Sequence, residues 1–117
     1  MNISKGSIPH VTERQWQRLN DLLTEGAVVE LPWLQSAAGL RKDSAVAVMN
    51  ALARSGGCEV AFLIFHDCAE HNVAVGGLIV WPWRCPECES LVHGTMGEVG
   101  SVWFEQRLTL TKPVRFV

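Results

Sequence analysis

Two short chelating patterns constrain this chain more than anything else in it. Cys68-Ala69-Glu70-His71 and Cys85-Pro86-Glu87-Cys88 are separated by Asn72 to Arg84, thirteen residues. Two residues between ligands let one tight turn aim both side chains at the same ion, and two such turns close a tetrahedron. Pro86 presets φ for the second turn. Three thiols and one imidazole suit zinc held for structural reasons, because four protein ligands leave no open position for chemistry. The residues between the pairs must then fold back on themselves. Asn72 to Val75 and Leu78 to Trp81 flank Gly76-Gly77, a hairpin signal that would do so.

The metal ligands expected are Cys68, His71, Cys85 and Cys88, with His66 and His93 as alternatives. His66 and Cys68 are two apart on an extended stretch and share a face, which also suits a metal. His93 follows Cys88 by five residues and can swing back. A reduced, metal-free pair and a redox-active Cys85/Cys88 pair are the competing readings. A redox pair normally sits at a helix N-terminus in a βαβ setting that lowers the thiol pKa, and neither surrounds Cys85. Cys58, outside both patterns, reads as a small buried hydrophobe. Glu70 and Glu87 can support the ligands or simply be solvated.

With 117 residues, 48% of them apolar and 19% charged, the composition is globular and contradicts disorder. The N-terminal MNISKGSIPHVTERQ lacks the apolar core of a signal peptide. No apolar run approaches the roughly 18 residues of a spanning helix. A cytoplasmic setting is expected, where cysteines stay reduced and Cys-x-x-Cys more often binds metal than forms a disulfide. A loop-rich β region in so small a chain has little core of its own, and an ion would add folding free energy directly.

Residues 1–11 are expected as a flexible arm and 12–117 as a single compact domain, helical over 12–57 and β over 58–117. Thr12 with Gln15 forms a capping-box pattern, and Val11 with Trp16 a hydrophobic staple. Trp16, Leu19, Leu22 and Leu23 mark a helical face over about Glu13 to Glu25, stopped by Gly26. Ala27 to Leu31 is extended. Pro32 opens a short helix that Gly39 ends. Asp43 or Ser44 caps a third helix ending at Ser55-Gly56-Gly57, with Val46, Met49, Leu52 and Ala53 inward. Cys58 to His66 reads as a strand, Leu91 to His93 as a short one, Ser101 to Leu110 as a long one, and the end around Pro113 as an edge segment.

The order helix, short helix, tight turn, longer helix, β-hairpin resembles the winged helix-turn-helix superfamily. WQRLNDLLTEG, LPWLQSAAGL, RKDSAVAVMNALARSGG and EVAFLIFH carry the likeness, over about residues 12–80. The segment 66–93, with its two knuckles, resembles a zinc ribbon with a histidine in the first knuckle. The fold expected is therefore α+β: an N-terminal three-helix winged-helix-like unit, then an antiparallel β region stapled by a zinc-ribbon-like site.

No Gly-rich phosphate loop, Gly-x-Ser-x-Gly or His-Glu-x-x-His is present, and the chain is expected not to be an enzyme. A protein–protein adaptor or small subunit of a larger complex is expected, with Trp81 and Trp83 as partner anchors, since Trp is enriched at interface hot spots. The alternative is a DNA-binding regulator that presents the third helix to the major groove, using Arg41, Lys42, Ser44, Asn50 and Arg54. The net charge of −2 weighs against it. Neither a membrane nor a small-molecule substrate is expected as a partner.

Overall fold

A computed structural model describes residues 1–68, 80–95 and 101–117, and residues 72–76 through their backbone. His71 and Gly77 to Ile79 fall outside it. The order of elements is β1 (Asn2–Ile3), a 3-10 turn (Lys5–Ser7), α1 (Glu13–Leu22), β2 (Val28–Glu30), α2 (Leu31–Ala37) and α3 (Lys42–Arg54). There follow β3 (Cys58–Asp67), β4 (Asn72–Gly76), β5 (Trp83–Arg84), β6 (Leu91–Val92), β7 (Val102–Leu110) and β8 (Arg115–Phe116). The mixed α+β class is as expected. Among the described residues no helix is long and apolar enough to cross a membrane.

The chain divides into two compact units, Met1–Val60 with Arg107–Val117, and Ala61–Gln106. β3 and β7 each run from one unit into the other. In the first unit α1 starts with the expected capping box. Gln15 N–H donates to Thr12 Oγ1, and Thr12 N–H donates to Gln15 Oε1. The helix ends three residues earlier than expected, with Leu23 at its C-cap. Gly26 (φ +84°) instead turns the chain into β2, its N–H bonded to Leu110 O. Pro32 lies in the first turn of α2, and Gly39 (φ +68°) breaks the chain between α2 and α3. β2 pairs antiparallel with β7, Val28 opposite Thr109.

Two expectations about α3 need correction. Its N-cap is Arg41, with no side-chain cap bond, so neither Asp43 nor Ser44 caps it. Its inward stripe is Ala45, Val48, Met49 and Leu52, while Val46 is exposed. The two stripes share Met49 and Leu52, and the pattern 45, 48/49, 52 fits the helical repeat as well as the expected one. The first eleven residues are not a free arm either. β1 pairs in parallel with β8, and Ile3 and Ile8 are buried in the same cluster as Trp16, Leu34, Leu52 and Phe116. The C-terminal residues are thus part of the helical unit's core.

The second unit has its own smaller core of Ile64, Trp83, Cys85, Val92 and Val102, with Cys68 against it. β4 pairs antiparallel with β3, Asp67 opposite Asn72. The strand expected to partner Asn72–Val75 was Leu78–Trp81, but Val80 and Trp81 belong to no strand. The chain reverses between Asp67 and Asn72, and the turn expected at Gly76-Gly77, with Leu78 and Ile79 after it, lies partly outside the described residues. β5 and β6 form a second hairpin, Trp83 opposite Val92. The larger sheet has the order β2-β7-β3-β4.

Candidate metal centre

The two hairpins bring the chelating residues together. β3 ends one residue before Cys68, and the alternation of a strand puts His66 and Cys68 on one face. Cys68 N–H donates to His66 O at 3.2 Å, which begins the first turn. Cys85 follows β5, and Cys88 lies in the turn that leads to β6. That turn is closed by Glu89 N–H to Cys85 O (2.9 Å) and Cys85 N–H to Ser90 O (3.0 Å). The Arg84 guanidinium adds a bond to Glu89 O at 2.9 Å. This is the strand-then-tight-turn geometry expected for CPEC.

One ligand atom each from His66, Cys68, Cys85 and Cys88 lies within 4.8 Å of all the others. These four are close enough to hold a metal ion. Cys88 Sγ is 3.6 Å from His66 Nδ1. Donors bound to a tetrahedral zinc at about 2.0–2.3 Å lie about 3.5–3.8 Å from one another, so this edge already has the length a bound ion requires. His66, the alternative ligand, supplies the imidazole. The first choice, His71, lies outside the described residues, and His93 is exposed and outside the group.

The surroundings suit a cation. Cys85 is fully buried and His66 nearly so, while Cys88 faces solvent. The Trp83 ring meets the His66 ring edge-on at 5.8 Å and fixes its orientation. Burial, and then the neighbouring Cys88 and Cys85 sulfurs, push the Cys68 thiol above its ordinary pKa. The Ser90 hydroxyl and then its backbone N–H hold Cys88 down at about 6, so Cys88 is a thiolate at neutral pH. Crowded thiols resist losing their protons, and a divalent cation removes that resistance. All four cysteines are free of disulfides. Cys58 is half-buried against the helical core, and burial raises its pKa.

The other expected residues are scattered. Arg41, Lys42, Asn50 and Arg54 are exposed on α3, with Arg41 Nε 3.4 Å from Asp43. Ser44 cannot read a base: it is fully buried and its hydroxyl donates to Pro9 O at 2.6 Å. Trp83 is buried under the metal group and is no surface anchor. Trp81 is exposed and packs edge-on against Phe104 at 6.3 Å. Phe62 and Phe104 are exposed aromatics that the sequence reading passed over. They sit in stretches that read as strands, and only the structure shows which face is left open. No protein-family model, curated protein or solved structure matches the chain.

Proposed function

We propose that this chain is a non-enzymatic binding module, a protein–protein adaptor or small subunit of a larger assembly, with a structural zinc. The observation that carries the proposal is the convergence of His66, Cys68, Cys85 and Cys88. Three sulfurs and one nitrogen select zinc over hard cations, and a closed set of four leaves no site for substrate. The free cysteines agree with the reducing cytoplasm. The scaffold reading is a winged helix: α1, β2, α2 and α3 precede β3, and β7 lies between β2 and β3 in the sheet. On that reading β3 and β7 are the wing, and the residues between them are an insert stapled by the ion.

Elemental analysis of the purified, reduced protein tests the zinc. One zinc per chain, lost in both Cys68→Ser and Cys85→Ser, supports the proposal; a folded wild type without metal contradicts it.

A DNA-binding reading stands second. The helical unit carries nine basic and six acidic residues, and the exposed side of α3 holds Arg41, Lys42, Asn50 and Arg54. Fluorescence anisotropy of duplex DNA at low ionic strength separates the two readings. Salt-sensitive binding that weakens in Arg41→Ala and Arg54→Ala favours DNA, and no binding leaves the protein partner.

A further inference from the structure

Charge is divided unequally between the two units. Ala61–Gln106 contains six acidic residues, Asp67, Glu70, Glu87, Glu89, Glu98 and Glu105, and a single basic one, Arg84. Its formal charge is −5, against +3 for the helical unit. The same acidic unit leaves large aromatic rings in solvent. Phe62 on β3 is 50% exposed, Phe104 on β7 is 43% exposed and Trp81 is 38% exposed. Trp81 and Phe104 are in contact, and Trp81 rests on Gly94, where a Cβ would come within 3.1 Å of the ring. Trp81 and Phe104 are therefore held in place, and Phe62 lies on the same side of the sheet, since Phe62 alternates with Ile64 and Phe104 with Val102, which share one core cluster.

Exposed aromatics on a unit with an excess of carboxylates have a chemical preference. The carboxylates repel nucleic acid and anionic lipid and attract cations. The ring faces bind apolar side chains, and they also bind guanidinium groups by cation–π attraction. A guanidinium is more weakly hydrated than an ammonium and stacks on rings, so arginine fits better than lysine.

We propose that the face bearing Phe62, Trp81 and Phe104 docks a basic polypeptide segment of a partner protein, one that carries arginine beside aliphatic residues. This deepens the adaptor reading and rests on it. The occupant is chosen by charge complementarity with the −5 unit.

The test is fluorescence anisotropy with the metal-loaded full chain. The probe is a short fluorescein-labelled peptide of alternating arginine and leucine, compared with the same peptide carrying glutamate or lysine for arginine. Phe62→Ser and Phe104→Ser are measured separately, each after its metal content is shown equal to wild type. The expected result is saturable binding of the arginine peptide that weakens with salt, no binding of the glutamate peptide, and a loss of about tenfold in each variant. Arginine-peptide binding unchanged in both variants would overturn the assigned face while leaving the adaptor reading intact. Absence of saturable binding, or equal binding of the glutamate peptide, would overturn the assigned chemistry. Self-association abolished by the same variants would give the face to a second copy of this chain. Duplex DNA binding abolished by them would overturn both the face's assignment and the adaptor reading.

Discussion

Cys85 and Cys88 share a turn and differ in almost every physical respect. Cys85 is sealed in the second unit's core, whereas Cys88 faces water with its charge held by Ser90. Removing Cys85 takes away a ligand and a core side chain together, while removing Cys88 takes away only the ligand. The histidine choice is sharper. On the proposed zinc site, His66→Ala should abolish zinc binding and His71→Ala should retain one ion per chain, by elemental analysis of both proteins, because His66 and the three sulfurs lie close enough together to hold the ion without a fifth ligand. The sequence put both histidines at chelating spacing. It could not choose between them, because the choice depends on where β3 ends and the chain reverses. Gly94 offers a second residue-scale test. Its φ is +81°, and an added Cβ would meet Trp81. Gly94→Ala should cost about 1–2 kcal/mol from backbone conformation, measured by denaturant unfolding, and should change the Trp fluorescence as the ring is displaced.

Single hydrogen bonds decide how several elements begin and how they are tied to the rest. The capping box at Thr12 was legible because it is local: two side chains three residues apart satisfy each other's backbone. Thr12→Ala should cost about 1 kcal/mol of stability. The phase of α3 was less legible, because Ala, Val and Met occupy both candidate stripes and the packing partner selects one. Ser44 shows how. It reads as a cap or a DNA contact, yet its partner is Pro9, in a segment that reads as a loose arm. Ser44→Ala leaves the Pro9 carbonyl without its donor and should cost about 1–2 kcal/mol in chemical denaturation. Ser44→Thr would keep the hydroxyl but add a methyl in a packed position. The strand pairings show the same limit. Residues that form strands are legible at β3, β4, β6 and β7, but partner choice is non-local, so the pairing of β4 with β3 carries no local signal. The two-residue strands β1 and β8 pair with each other; the end around Pro113 reads as an edge segment, while β1 has no signal of its own.

At the scale of the molecule, the two units hold themselves together by different means. The first buries a cluster that includes Trp16, Leu19, Leu34, Leu52, Leu108 and Phe116, with Lys5 over the Trp16 ring at 5.6 Å. The second, among the described residues, has a core cluster of only five buried apolar side chains, with the candidate metal group at its edge. So small a core would gain a large share of its stability from an ion bound there. A chelator should therefore abolish hydrogen-exchange protection across 61–106 while the amides of α1 and α3 stay protected. The division of charge between the units, hidden in a net charge of −2, emerges only once the unit boundaries are known. The test that bears most directly on the metal centre is X-ray absorption at the zinc edge on the protein as purified. Three sulfurs at about 2.3 Å and one nitrogen at about 2.0 Å are predicted, with the nitrogen lost in His66→Ala. An all-oxygen and nitrogen shell, or no bound zinc in a folded chain, would contradict the site.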